Sequence, residues 1–579
     1  MEELEQEINP QKLEDFKSPD FDPAKRERRI HCLKIIFGVL FIILIIVLIP
    51  IIIILIKRKN YVEINCKFLA GNDTVQLINE NAVKDLKFDL YINGEKEKNS
   101  KYNYKFEKNI EYKVSFKFHN KLKSLGDFFN NLSQLKEIDL SQVSPDAFED
   151  ISKLFKDSES LEKVVFGKNK KNIKKMDEAF SGCNSLIHLD LTSFNTENVE
   201  SMKKLFTGCH SLTSVDLSTF DTKNVNTMKG MFSGCYSLEN INLINFNFEK
   251  VEDMSLMFSN CEKLNNLTFG ESKTPNLAKM SGIFMNCASL KELDLHNFMT
   301  YKVDDMSLLF YNCVNLENID LSNFDTRKVE NMYKMFSNCQ SLTNLKLESF
   351  DTLKVKNMKE MFSNCIKLST INLSSFETEN VIYFESQFSN CSSLEELDLS
   401  NFITEEATEM ESMFSGCTSL TSLNINQFKN KKLTNVKNMF EGCSKLTSID
   451  LSFLKDSTGL MFTSRMFRNC SSLENITFPE IRSFFLYGTD EMFSECTNMK
   501  NINISSINTL SVSNMEKMFY GCTSLTNLDI SNFNTRSLSN SDEIFGGIQN
   551  SKDFKIKYNE NKTQEIAGKI LENWEKIVS

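Results

Sequence analysis

Histidine and tryptophan are nearly missing from this 579-residue sequence, with five and one respectively, and proline (7) and glycine (19) are sparse. So little Gly and Pro excludes a collagen-like or low-complexity chain, and a hydrophobic content of 41% excludes a disordered one. Five scattered histidines (His31, His119, His188, His210 and His296) leave little material for metal or acid–base chemistry. A basic excess is lacking too: 67 Lys and Arg face 78 Asp and Glu, a net charge of −11, which argues against nucleic acid as a partner. G-x-S-x-G, H-E-x-x-H and P-loop patterns are absent, so no enzyme, catalytic residue or cofactor is expected. What abounds is phenylalanine (48), methionine (24) and cysteine (16).

One long apolar run stands near the N-terminus. Ile35 to Ile56 is 22 residues without a charge, about 33 Å as a helix, enough to span a ~30 Å hydrocarbon core. Pro50 within it is tolerated as a kink. A cleaved signal peptide would have a shorter apolar region, a short leader and a small-residue cleavage site. Here 34 residues precede the run, so a retained anchor is expected. Lys25, Arg26, Arg28, Arg29 and Lys34 on one side outnumber Lys57, Arg58 and Lys59 on the other, favouring a cytoplasmic N-terminus and an external C-terminus. Cys32 beside the run is either a palmitoylation site or a plain thiol.

The rest of the chain is governed by a repeat. Cys183, Cys209, Cys235, Cys261, Cys287, Cys313, Cys339, Cys365, Cys391, Cys417 and Cys443 lie 26 residues apart. One inserted residue then leads to Cys470, Cys496 and Cys522, again 26 apart, and a Phe stands three residues before each of the 14. In one unit Val225, Met228, Met231, Phe232 and Cys235 fall at i, i+3, i+6, i+7 and i+10, which predicts one face of a short helix. Gly or Asn precedes the cysteine in 13 of 14 units, as at Gly234, and predicts a positive-φ stop to that helix. Leu238, Ile241 and Leu243 then read as a strand. Each unit is thus strand, turn and short helix, and must stack on its neighbours to bury its apolar face.

Segments such as "MFSGCYSLENINL" and "LSNFDTRKVENMYKMFSNCQSLTNL" resemble the BspA-type leucine-rich repeat, also called the Mycoplasma-lipoprotein or DUF285 repeat, over about residues 126–556. The resemblance implies an α/β, leucine-rich-repeat-like solenoid on a cell surface, an adhesive role, and no catalytic residues. The expected organisation is a cytoplasmic tail (1–34), a transmembrane anchor (35–56), a juxtamembrane β-rich domain (57–122), the solenoid (123–556) and a capping helix (557–579). Degenerate units carry Leu132, Ser158 and Ile548 in the cysteine column. Ile566, Ile570, Trp574 and Ile577 form one face of the closing helix, with Thr563 as its N-cap. Asn93-Gly94 signals a hairpin in the β-rich domain. Seventeen layers at ~4.8 Å give a rod or arc about 80 Å long.

For chemistry, the 14 repeat cysteines lack a C-x-x-C pair or nearby His for zinc. They read as a ladder of compact buried side chains. Bridged neighbours are the rival reading, suited to an oxidising exterior but poorly oriented for the disulfide torsion. A serine in this column would bury a hydroxyl without an assured partner, so Cys→Ser is expected to cost more than Cys→Ala. The outward strand position holds Asp190, Asp216, Asp294, Asp320, Asp398, Asp450 and Asp529, which is either a binding face for cations or basic ligands or a solvated polar face. The run Lys168 to Lys175 reads as a solvated loop. Sequons occur at Asn72, Asn131, Asn266, Asn372, Asn390, Asn469, Asn475, Asn503 and Asn561. The function expected is a single-pass surface protein binding an extracellular or host protein or glycan. A structural spacer or coat, or a cytosol-facing scaffold, is the alternative.

Overall fold

A computed structural model of the chain describes residues 61–548 and 554–578 except Asn72, Arg482 and Asn573, with seven residues before Tyr61. It divides the chain into two compact units, Met1–Val62 and Glu63–Ser579. In the first, the predicted span 35–56 lies almost wholly outside the described residues, as does Cys32; Val39, Ile43, Ile46 and Val47 are helical and at least half exposed. Among the described residues no helix is long and apolar enough to cross a membrane.

The second unit begins with β1 (Val62–Ala70), β2 (Thr74–Gln76), β3 (Phe88–Ile92), β4 (Glu95–Lys96), β5 (Asn103–Lys105) and β6 (Ile110–Phe118). Asn93 and Gly94, both at positive φ, make the hairpin between β3 and β4. Strand β7 (Leu135–Asp139) and β8 (Lys163–Val165) are the first two rungs of the solenoid, yet they belong to the same sheet, ordered β4-β3-β6-β1-β7-β8. β1 runs antiparallel to β7, with Cys66 opposite Ile138, whereas β7 and β8 pair in parallel. The β-rich segment therefore closes the first solenoid edge, which would otherwise expose unpaired backbone.

Where later rungs form strands they are short and pair in parallel with a neighbouring layer, as Asn318–Asp320 pairs Asn344–Lys346. A second line of single bridges, such as Asp305 to Asn331 to Asn357, joins the layers at the next corner. The segment expected to be a short helix is not one, so the repeat is a β-solenoid rather than an α/β one. Between Met332 and Leu342, alternate N–H groups donate along the solenoid: Met332 to Asn357 O (2.9 Å), Lys334 to Lys359 O (3.0 Å), Phe336 to Met361 O (2.9 Å) and Asn338 to Ser363 O (2.7 Å). The others close tight turns within the layer: Met335 to Met332 O, Ser337 to Lys334 O, Cys339 to Phe336 O and Leu342 to Cys339 O. An α-helix would direct these donors to i−4 carbonyls and need about 8–10 Å from its neighbour. The Phe rings of this wall repeat at only 5.2–6.1 Å, so helices do not fit.

Two positions per layer take positive φ to alternate the donors in this way. One is the predicted residue before the cysteine, with Gly234 at +76° and Asn338 at +64°. The other, four residues earlier, is occupied by almost any residue, including Lys334, Leu308, Glu360 and Arg465. A non-Gly residue there costs about 1–2 kcal/mol in isolation, and each is held by its N–H bond to the next layer. From Asn260 to Asn390 the first position is always Asn. Its amides form side-chain ladders, Asn286 Nδ2 to Asn260 Oδ1 (2.6 Å), Asn312 to Asn286 (3.0 Å) and Asn390 to Asn364 (3.0 Å) among them.

The core is a set of parallel columns. Phenylalanines stack from Phe129 through Phe336 to Phe545, and Trp574 ends the stack edge-on at 5.5 Å. The predicted capping helix is reduced to one turn, Gln564–Ala567, followed by a strand, Glu575–Val578, in parallel with Lys555–Tyr558. Ile566, Ile570 and Trp574 are buried as expected, but Ile577 is exposed, and the Thr563 hydroxyl donates to Asn559 O rather than capping the helix. Glu63–Ser579 thus holds a core closed at both ends.

Candidate binding face

Besides a hollow of about 430 Å³ at the C-terminal end, against Tyr520, Glu543, Lys569 and Trp574, three open on the outward face of the strands. One of about 360 Å³ is lined by Asp216, Ser218, Asn240, Asn242 and Thr268, and another of about 610 Å³ by Asp320, Asn344, Lys346, Glu348 and Asn372. A third, about 340 Å³, lies at the N-terminal end against Lys67, Lys113, Ser115, Glu137 and Lys163, where β1 and β6 extend the same face. Amides, hydroxyls and scattered charges line all three.

The aspartate column has a local job here. Each carboxylate accepts the backbone N–H two residues on: Thr192 to Asp190 (3.0 Å), Ser218 to Asp216 (2.9 Å), His296 to Asp294 (3.0 Å), Ser322 to Asp320, Ser400 to Asp398, Ser452 to Asp450 (each 2.9 Å) and Ser531 to Asp529 (3.0 Å). Asn242, Asn372 and Asn503 do the same where Asn replaces Asp. These Asx turns bend the chain off the strand, which is why Asp and Asn dominate the column. Hydrogen bonds from Thr192 and Ser218 hold the Asp190 and Asp216 carboxyls below their ordinary pKa, and neighbouring Asp190 opposes this slightly at Asp216. At Asp294 the lowering comes from the His296 backbone and then its ring. Burial pushes Asp529 up, but Ser531 and Lys557 outweigh it. The column is not uniformly acidic: Lys346 lies 3.8 Å from Asp320, and Lys557 3.1 Å from Asp529.

His296 is exposed on this face, its Nδ1 2.7 Å from Asp294 and its Nε2 3.8 Å from Glu271, and the Asp294 contact raises its pKa. His188 is exposed as well. Among the described residues no group of three or more His, Cys, Asp or Glu could hold a metal ion. Sequon residues Asn266, Asn372, Asn475 and Asn503 are exposed on the strand face; Asn72 lies outside the described residues.

All 14 repeat cysteines, Cys183 to Cys522, are free and buried. Each thiol donates to the carbonyl oxygen of the Phe in the preceding layer: Cys313 Sγ to Phe284 O at 3.1 Å, Cys339 to Phe310 O at 3.2 Å, and likewise along the column. That carbonyl also accepts the in-layer N–H of its own cysteine, as Phe284 O does from Cys287 at 3.1 Å, filling both lone pairs. Burial pushes the Cys313 thiol up to about 12, partly offset by the Cys287 backbone, so it stays protonated and donating. Ser158, in the same column, donates its hydroxyl to Phe129 O at 2.7 Å. A serine here therefore does find a partner, and the expected order of Cys→Ser and Cys→Ala is reversed.

Sequence reasoning missed two polar features of the core. A buried threonine column, recurring after Phe at the 26-residue period, replaces a backbone rung: Thr326 Oγ1 donates to Asp351 O and accepts its N–H, both at 2.8 Å. Lys171, expected in a solvated loop, is 1% exposed. Its ammonium donates to Asn169 O (2.6 Å), Gly167 O and Ser193 Oγ (each 3.3 Å), 5.2 Å from the Phe148 ring. The Thr column was legible in the repeat; nothing local marked Lys171 as buried.

The family model described as "Mycoplasma protein of unknown function, DUF285" matches residues 99–188, 174–292, 239–346, 278–397, 341–453, 367–481 and 461–573. No curated protein matches the sequence. Among solved structures, a leucine-rich repeat protein from Bacteroides ovatus ATCC 8483 is 19% identical, with 70% of this chain and 87% of that one covered at a TM-score of 0.35. A leucine-rich repeat protein from Eubacterium ventriosum ATCC 27560 is 16% identical, with 63% and 83% covered at 0.29. A functional domain of InlJ from Listeria monocytogenes that includes a cysteine ladder is 15% identical, with 66% and 70% covered at 0.16. At these TM-scores the likenesses do not bear on function.

Proposed function

The chain belongs to the DUF285 repeat family, and on that premise we propose that its solenoid is a non-catalytic binding module displayed on a cell surface by the 35–56 anchor. The N-terminal tail is cytoplasmic and the repeats external, and the ligand is an extracellular or host protein or a glycan. One observation carries the binding role. Three hollows open on the strand face, whose side chains vary from layer to layer, while the opposite wall repeats the same buried residues. Amide and hydroxyl lining suits a ligand rich in hydrogen-bonding groups. The near absence of aromatic side chains there suits recognition spread over several layers rather than one hot spot.

The buried thiols are compatible with an external location, because burial keeps them protonated at neutral pH and away from exchange partners. Protease added to intact cells is expected to remove the repeats and spare an epitope in residues 1–34. Protection of the repeats in sealed cells would give the cytosol-facing scaffold instead. Binding of the 61–579 fragment to arrayed glycans and matrix proteins should fall when Asn344→Arg fills the larger hollow. Binding indifferent to that change would remove the strand face as the site, and a fragment that binds nothing on the array would favour a spacer or coat.

A further inference from the structure

At the corner after the buried threonine column, each layer presents two outward residues, usually charged or amide-bearing, such as Lys223-Asn224, Arg327-Lys328 and Lys431-Lys432. Three consecutive layers depart from this, with Thr458-Gly459, Phe484-Phe485 and Leu510-Ser511, and the middle one is aromatic. Ser511 Oγ donates to Phe484 O (2.9 Å) and Ser537 Oγ to Leu510 O (2.7 Å), so Phe484, Leu510 and Arg536 occupy one column in consecutive layers. In the other direction the column continues through Thr458 to Lys431, the register being set by Ser457 Oγ on Asn430 O (2.9 Å). Phe484 is 68% exposed and Phe485 50%, with Phe462, Tyr487 and Leu510 beside them at 44–47%.

At about 150–250 Å² per aromatic side chain, these five expose roughly 500 Å² of apolar surface, near the upper end of the largest patch on a typical monomer. That is short of the ~800 Å² each partner buries in a stable protein pair, so the patch alone does not make a dimer. The charges around it are cationic at both ends. Lys432 is held by Glu406 at 2.5 Å, but Lys431 and Arg536, which bracket the apolar rungs, have no ion pair among the described residues. Lys455 offsets Asp456 next to it.

We infer that this corner is a second contact surface, which seats on an anionic lipid bilayer. Phe484, Phe485 and Leu510 enter the interfacial layer, and Lys431 and Arg536 lie against anionic headgroups. Aromatic side chains favour that depth, and long basic side chains keep their charge at the headgroups while their stems stay apolar. A planar bilayer, unlike a protein, needs no groove to receive side chains standing out from a corner. The surface adds to the surface-display reading but does not depend on it, because it resides wholly in the compact Glu63–Ser579 unit.

The test is co-sedimentation of the 61–579 fragment with vesicles of phosphatidylcholine alone or with phosphatidylserine added. Binding is expected only to the anionic vesicles and should weaken as salt rises. F484S/F485S should lower it at least tenfold, and K431E/R536E several-fold. Both variants change exposed side chains, so their thermal melts should match the parent. Equal binding by F484S/F485S, or no binding of the parent to either vesicle, overturns the inference. Self-association of the parent that F484S/F485S abolishes also overturns it, by making a second copy the occupant. Protease shaving of cells remains independent of all these outcomes, so failure here and failure of the surface reading are distinguishable.

Discussion

Within each layer, the turn wall and the strand face obey opposite rules. Met332, Met335, Phe336 and Cys339 of the wall are fully buried and recur with little change in every layer, because each side chain lies on its own kind. Across the layer, Asn318, Asp320, Asn344 and Lys346 of the face are exposed and differ between neighbours. Their one shared constraint is an Asx turn, which Asp and Asn satisfy equally. Stacking at about 5 Å makes identity stabilising where there is no solvent, and indifferent where there is. Of these two surfaces, only the face therefore carries variation that a ligand could read.

Substitutions can sharpen or break that contrast. The largest effect is expected for Phe336→Ala, which opens the aromatic column between Phe310 and Phe362 and should cost about 3–5 kcal/mol in a denaturant melt. A loss below 1 kcal/mol would mean that the wall repacks freely. Thr326→Val should cost about 1–3 kcal/mol, since it leaves the Asp351 N–H and carbonyl without their layer partner. Protection of the Asp351 amide from hydrogen exchange should fall with it. Gly234→Val places a β-branched residue at φ +76° and should cost about 1–3 kcal/mol. The added Cβ would meet only ordinary contacts at 3.5 Å, so the effect is one of backbone strain, and Gly234→Asn should be nearly neutral.

Cys313→Ala should cost about 1 kcal/mol, for a small buried group and its bond to Phe284 O. Cys313→Ser should stay within about 0.5 kcal/mol of the parent, because Ser158 shows the hydroxyl making the equivalent bond. A serine variant less stable than the alanine one would rule out the donor role. Alkylation under denaturing, non-reducing conditions should label nearly all repeat cysteines. On the face, Asp216→Ala should change stability by about 0.5 kcal/mol or less at pH 7. The lowered carboxyl pKa of Asp216 means its stabilisation is present above the ordinary value near 3.9 and lost as pH falls through the folded one. Melts of parent and variant should therefore converge in acid, and a gap that widens below pH 4 would contradict the hydrogen-bonded carboxylate.

The cysteine period, the Phe three residues before it and the Gly or Asn between them determined by themselves that the chain is a solenoid, how its layers align and which backbone position takes positive φ. They could not separate a helix from a run of turns. Apolar residues at i, i+3, i+6, i+7 and i+10 suit both a 3.6-residue helix and linked i→i+3 turns, and no local signal marks Leu308 or Lys334 as left-handed. The choice is tertiary: alternate N–H groups bond the next layer, and a spacing near 5 Å leaves no room for a helix. The serine and threonine hydroxyls, the Lys171 ammonium and the closing strand Glu575–Val578 follow the same logic. Each takes its form from a carbonyl, hydroxyl or strand edge that a distant or neighbouring layer presents, and a sequence read one segment at a time does not contain that partner.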